Sequence, residues 1–453
     1  MHLSITGQYL ARYQRIAADN RESDLLPVTG AQRRFVLVRS LDPAGRPDLV
    51  PMFFAFRRGT VDPVRLRAAA NHLAARHPVL RARPEVLRGT PALRLAEPDV
   101  PVERLVRAPG EDAAGAMRRA LSAWTTQGSP LRLYLAEDGP DAEEEVLAVV
   151  MDHTACDGQS LARIVEELSS AYHHGIGPGE LAPADAAAEL AAYREAVQMQ
   201  LEAERCAGSA AALEYWGGRL RNVRERAALP GPQDPGSGTL PTGAAELRLP
   251  TGAAELRLPA PASGVPFPAL LDACRAMARV LYGAGHVSPI GYPWGGRPAA
   301  AAPVVGCFLN TVVFPAGTDE VPDGPSGDDP LGAEATATDW WDDLDRADTP
   351  FDEVVHAARS AGSLWSGRLD GLLTVDDARR RPPLSLGGVV GREVHIDGRH
   401  VRAPFAVSVT HGPELHIRMV WDRHVHDDRT AQDGFDAFRA ALPAPERADV
   451  TVG

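Results

Sequence analysis

Residues 151–160 read Met151-Asp152-His153-Thr154-Ala155-Cys156-Asp157-Gly158-Gln159-Ser160. An apolar run, VLAVVM at 146–151, leads into them, and an amphipathic stretch at 159–172 leads away. Leu161, Ile164, Val165, Leu168 and Tyr172 recur there at helical spacing. The pattern predicts a buried strand, a short loop and a helix. Such a junction can present its loop to a crevice. His153 follows the strand at once, and an imidazole takes or gives a proton near neutral pH. Asp157 is suited to cap the helix or to pair with an arginine, and Gly158 permits a tight turn with exposed backbone N–H groups.

Outward from this junction, 131–136 and 146–151 read as strands around an acidic turn at 137–145. Upstream, 33–40 (RRFVLVRS) and 51–57 (PMFFAFR) read as strands, and 61–77 and 110–125 as helices. His77-Pro78 ends the first of these helices, because the residue before proline is pushed out of the helical region. Residues 184–220 are Ala/Glu/Arg-rich, helical, and suited to bridge two halves. A Pro/Gly-rich stretch at 228–263 holds a tandem repeat, PTGAAELRL at 241–249 and again at 250–258. Two copies do not make a solenoid, so a local duplication in a loop or hairpin is expected. More helices and strands follow over 267–442, interrupted by an acidic Pro/Gly-rich run at 316–330. The alternation predicts an α/β protein in two parts with a site where they meet.

Composition narrows the chemistry. The 453 residues carry 47 basic and 60 acidic side chains, and every basic residue is arginine. The absence of lysine excludes a Schiff-base lysine and the lysines of phosphate loops and kinase strands. A net charge of -13 argues against non-specific nucleic-acid binding. The four cysteines, Cys156, Cys206, Cys274 and Cys307, form no CxxC and read as reduced thiols. No signal peptide and no membrane-length apolar run is visible, so a cytoplasmic protein without a membrane partner is expected.

Other residue clusters carry less. Cys156 lies three residues from His153 in one loop, unlike the separated pair of cysteine hydrolases. His173-His174 point apart on a helix end. His424-x-His426 would share one face of a strand and has some metal-ligand character, but a surface loop is the simpler reading. Gly283-x-Gly285 lacks the third glycine of a dinucleotide site. Trp340-Trp341-Asp342-Asp343 reads as a solvated face anchored by aromatics.

The junction resembles the HHxxxDG motif of the condensation domains of nonribosomal peptide synthesis, members of the chloramphenicol-acetyltransferase-like superfamily. Other stretches agree in order. Thr29-Gly30-Ala31-Gln32-Arg33 is similar to "AQ-R", and His77-Pro78-Val79-Leu80-Arg81-Ala82-Arg83 to "HPxLRxR". Glu214-Tyr215-Trp216 with Leu220 is similar to "YWxxxL". Residues 291–297 (GYPWGGR) and 305–311 (VGCFLNT) resemble "GxPxxGR" and "VGxFxNT". Thr349-Pro350-Phe351-Asp352, Pro404-Phe405 and Trp421-Asp422 resemble late elements of the family. The resemblance covers nearly the whole chain.

It implies two chloramphenicol-acetyltransferase-like lobes in a V arrangement, each a mixed sheet flanked by helices, over residues 1–178 and 179–453. Two tunnels would bring an acyl or aminoacyl thioester on a carrier protein and an acceptor, free or carrier-bound, to the motif. His153 matches the second motif histidine, the catalytic one. Gly158 would lie near the oxyanion, Asp157 would pair with Arg297, and Asn310 would lie on the floor loop. No metal and no tightly bound cofactor is implied. Phosphopantetheine would belong to the carrier protein, and a free-standing enzyme is expected because no adenylation or carrier segment is seen.

Asp152 stands where the family has its first histidine. With Asp157 and Ser160 it also fits DxxxxDxxS of heterocyclisation domains, which condense and then cyclodehydrate Cys, Ser or Thr. Against that, His153 and "GCFLNT" are present, and no run like "PQVWLD" is found. No DFGWG of the plant-type, CoA-dependent relatives is found either. Amide or ester condensation therefore leads, with heterocyclisation or a non-catalytic docking module of the same fold as alternatives.

Overall fold

The computed structural model describes residues 4–19, 24–41, 48–125, 127–139, 142–224, 249–259, 264–317 and 330–443. Two mixed sheets organise them. The first runs in the order Arg392–Glu393, Leu49–Arg57, Glu144–Asp152, Leu131–Glu137, Val102–Arg104. Its pairings are antiparallel except the last, between 102–104 and 131–137. The strand 144–152 is central and buried on both sides, as its uninterrupted apolar run requires. Leu147, Val149 and Met151 meet one cluster, with Leu66, Leu73, Ile164 and Leu168 from the helices Pro63–Arg76 and Gly158–His174. The alternate residues Ala148 and Val150 meet a second cluster with Met117, Leu121 and Trp124.

The second sheet has six strands in the order Leu309–Ala316, Ser288–Gly295, Gly371–Asp377, Phe405–His411, Glu414–Asp422, Thr251–Pro259. The strand 371–377 is parallel to both of its neighbours. The helices Phe267–Tyr282 and Asp428–Ala440 cover this sheet through Leu270, Met277, Leu281, Phe435 and Phe438. Two mixed sheets flanked by helices agree with the architecture expected from the resemblance.

Two sequence readings are corrected. Residues 33–40 are not a strand but lie in the helix Gly30–Leu41. Their β-branched and aromatic run favours a strand, yet the buried residues Gln32, Arg33 and Val36 fall at helical spacing. A reciprocal cap starts the helix: the Gln32 N–H donates to Thr29 Oγ1 at 3.3 Å and the Thr29 N–H donates to Gln32 Oε1 at 3.0 Å. The second repeat copy is not a loop but the edge strand 251–259, paired with 414–422. The first copy lies outside the described residues except Leu249. The stretch 184–220 is helical as expected, in two helices, Pro183–Ala207 and Ala210–Arg219, with Ser209 capping the second.

Packing runs on across the boundary expected at 178/179. Tyr193, Val197 and Leu201 of the longer helix join the first core, whereas Trp216 and Leu220 join the second. Val304, Val305, Phe308, Leu384 and Leu386, far along the chain, also belong to the first core.

Candidate active site at the strand to helix junction

His153 emerges from the end of the strand 144–152 and is half-buried. Its backbone N–H donates to the Asp48 carbonyl at 2.9 Å, which anchors the loop to the neighbouring strand. Its ring stacks on Phe35, with centroids 4.8 Å apart and planes at 25°. Nδ1 lies 3.9 Å from Cys307 Sγ. Burial pushes the Cys307 thiol well above its ordinary range, so the sulfur stays protonated.

Asp157 caps the helix Gly158–His174 and is wholly buried. Oδ1 accepts from the Ser160 N–H at 3.1 Å and the Ser160 hydroxyl at 3.0 Å. Arg297 Nη1 donates to both carboxylate oxygens, at 2.9 and 2.8 Å, and the Phe308 N–H donates to Oδ2 at 2.9 Å. The remaining Arg297 donors reach Ser160 Oγ at 2.8 Å and the carbonyls of Val304 and Gly306 at 2.9 and 3.1 Å. The guanidinium also lies over the Phe308 ring at 4.8 Å. The expected pairing of Asp157 with Arg297 is thus present, and it clamps the motif helix to residues 304–308.

Asp152 is brought close in sequence but not in chemistry. Its carboxylate is buried and points to Arg39, 2.6 Å away, and it accepts from the Thr154 N–H at 2.9 Å and hydroxyl at 2.6 Å. Three donors thus engage its two oxygens, and the His153 ring is not among them.

A residue next to His153 that the sequence reading missed is Asp48, whose carbonyl accepts the His153 N–H. It is buried and paired with Arg402, and burial raises its pKa against the opposing charges of Arg402 and His153. Strand pairing held the signal for it: Leu49 is registered opposite Asp152, so the residue before Leu49 must lie beside His153.

A cleft of about 3500 Å³ opens at this junction. Ligand pockets are usually nearer about 300–1,000 Å³, so this one is large. His153, Gly158, Cys307, Asn310 and Arg402 line it. Gly158 is exposed at the first turn of its helix, and a Cβ built there meets nothing within 4 Å. The protein itself therefore does not require glycine at that point. Asn310 reaches the cleft on the strand 309–316, but its amide donates to the carbonyls of Ala347 and Thr349 at 2.7 and 2.6 Å. It ties the floor strand to the segment before the helix Phe351–Ser360.

Gln32 and Thr29 bind this assembly together. Gln32 Nε2 donates to the Thr154 carbonyl at 2.7 Å and the Tyr193 hydroxyl at 3.1 Å, and Thr29 Oγ1 donates to the Cys307 carbonyl at 2.9 Å. The stretch at 29–33 therefore holds both the histidine loop and the floor.

Other singled-out residues lie elsewhere or serve packing. The Cys156 thiol is buried, is pushed well above its ordinary range by that burial, and donates to the Asp157 carbonyl. His424 and His426 sit in the turn after the strand 414–422, not on one strand face. The first bonds Asp422 and the second lies 3.2 Å from the Tyr282 hydroxyl. Among the described residues no group of three potential ligands comes together to hold a metal. Asp343 is wholly buried against Arg219 and Tyr215, so the 340–343 run is not a solvated face throughout. No described helix is long and apolar enough to cross a membrane.

Two mixed sheets, a motif helix clamped by Asp157 and Arg297, and a histidine on the wall of a large cleft define an acetyltransferase-like condensation fold. The chain belongs to the condensation-domain family, whose model matches residues 22–325. It is 25% identical over 347 residues, 69% of its length, to CymA of Salinispora arenicola (strain CNS-205), a probable non-canonical nonribosomal peptide synthetase. It is 32% identical over 148 residues, 32% of its length, to tyrocidine synthase 3 of Brevibacillus parabrevis. The chain spans only 4% and 2% of those two relatives. Among solved structures, it resembles the X-domain from teicoplanin biosynthesis with TM-score 0.63 at 20% identity, covering 93% of this chain and 95% of that one. It also resembles the starter condensation domain of rhizomide synthetase RzmA in complex with C8-CoA, with TM-score 0.62 at 16% identity, covering 92% and 94%. These likenesses establish the fold.

Proposed function

We propose that this chain transfers an acyl or aminoacyl group from a carrier-protein thioester to an amine or alcohol, with His153 as the catalytic residue. The observation that carries this reading is the placement of His153. It stands on the wall of a cleft with room for donor and acceptor, held by Phe35 and the Asp48 carbonyl, at the N-terminus of the motif helix.

In the tautomer with its hydrogen on Nδ1, toward the Cys307 sulfur, Nε2 carries the lone pair. It accepts a proton from the attacking amine or hydroxyl. The new C–N or C–O bond forms as the thioester carbonyl becomes tetrahedral, and the Gly158 N–H lies where that oxyanion is stabilised. Collapse breaks the C–S bond, and the proton leaves with the phosphopantetheine thiol. Phosphopantetheine is a substrate group here, brought by the carrier protein. Asp157 and Arg297 do not touch the reacting atoms and act by fixing the loop.

Heterocyclisation is the weaker reading, because Asp152, Asp157 and Ser160 are engaged by Arg39, Thr154 and Arg297. The test is turnover of pantetheine and carrier-bound thioesters with amine and alcohol acceptors, followed by mass spectrometry. Wild type is expected to give coupled product and His153→Ala to lose about 10²–10⁴-fold, the usual worth of proton transfer. Equal rates would overturn the assignment of His153. A further loss of water would indicate heterocyclisation, and carrier binding without any turnover would indicate a docking module.

A further inference from the structure

The arginines around His153 differ in one respect. Arg33 is paired with Asp352 at 2.9 Å, Arg39 with Asp152 at 2.6 Å, Arg297 with Asp157 at 2.8 Å, and Arg402 with Asp48. Arg34 has no such carboxylate among the described residues. Nη1 makes one long bond, 3.4 Å, to Thr311 Oγ1, and the guanidinium lies 3.7 Å from the centre of the Phe351 ring. A guanidinium has five N–H donors in a planar fork that matches a carboxylate. A half-buried guanidinium without a paired carboxylate is free to take an anion from the cleft it lines. Burial pushes Arg34 down to about 10, against the attraction of more distant Asp48 and Asp352.

The position gives this charge a use. Arg34 lines the same cleft as His153, Asn310 and Thr311, and its neighbour Phe35 carries the His153 ring. Phe351 supports one face of the guanidinium and leaves its edge for a planar anion. The neighbouring carboxylates cannot supply it, since each is held by its own arginine.

We propose that Arg34 is the receptor for a carboxylate of the substrate, presented by the acceptor or by the acyl group. This rests on the acyl-transfer reading of the cleft. A free amino or hydroxy acid as acceptor satisfies it; an acceptor tethered as a thioester has no such carboxylate to offer. A dicarboxylic acyl group satisfies it from the donor side.

The experiment compares paired substrates in wild type and Arg34→Gln. One pair is an amino acid acceptor and its carboxamide; the other is a pantetheine thioester with and without a terminal carboxylate. Wild type is expected to favour the carboxylate in one pair by at least about tenfold in kcat/KM, as a charge-assisted bidentate bond implies, and Arg34→Gln is expected to lose that preference. Which pair responds identifies the source. Calorimetric binding of an N-acyl amino acid and its carboxamide supplies a second readout free of turnover. Binding that favours the carboxylate tenfold in wild type but not in Arg34→Gln supports the proposal even where His153 catalysis fails. The proposal is overturned if neither pair nor the calorimetry shows a carboxylate preference, or if the preference survives in a folded Arg34→Gln.

Discussion

Glu204 shows how a single buried carboxylate reaches the site. Its two oxygens accept from the Gly30 N–H at 2.9 and 3.0 Å, at the start of the helix that carries Gln32, Arg34 and Phe35. Burial pushes it up from 4.5 to about 7, against the pull of Arg33 and the Gly30 bond. Between those values the folded chain holds a proton that the unfolded chain has released. Its contribution to stability is therefore fully present below about 4.5 and is lost as pH rises through about 7. Urea titrations from pH 5 to pH 8 should show wild type losing up to about 3 kcal/mol more than Glu204→Gln. Parallel profiles would mean that Glu204 does not titrate in this range. At this scale the motif residues were readable and their burdens were not. The resemblance paired Asp157 with Arg297, 140 positions apart, and that pair exists. Whether Asp152 faced His153 depended on the loop, where Thr154 and Arg39 draw the carboxylate away.

The helix Gly158–His174 carries the element-scale prediction. Because a Cβ at Gly158 has open space and alanine favours a helix, Gly158→Ala should fold with stability within about 1 kcal/mol of wild type. On the proposed acyl-transfer reading the added methyl would project where the thioester approaches, so kcat/KM should fall at least about tenfold, the cost of about 1.4 kcal/mol of misplacement. A thermal melt beside a turnover assay checks both, and full activity would remove Gly158 from the site. The elements around it were largely legible from apolar periodicity. The exception, 30–41, has the composition of a strand but begins with the Thr29–Gln32 cap. That cap is visible as Thr-x-x-Gln, and it outweighs the β-branched run because the helix buries Gln32, Arg33 and Val36 together.

At the scale of the whole molecule, the two cores do not correspond to two consecutive stretches of chain. Val304, Phe308 and Leu386 pack into the first core, the strand Arg392–Glu393 joins the first sheet, and Arg33 pairs with Asp352. Loss of either core strips partners from the other. Scanning calorimetry should therefore record one cooperative endotherm, and two separated ones would show independent lobes. The sequence by itself determined the class of fold, the strand–loop–helix that bears His153, and the exclusion of lysine chemistry. These depend on local periodicity and residue type, which one-dimensional information contains. Tertiary structure alone decided that Asp48 lies beside His153 while Asp152 turns to Arg39, that Asn310 braces a loop, and that Arg34 lacks a carboxylate among the described residues. Each of these follows from which distant side chains share a low-dielectric space. There, charges and donors must find partners across hundreds of residues, and the order of the chain does not say which they will be.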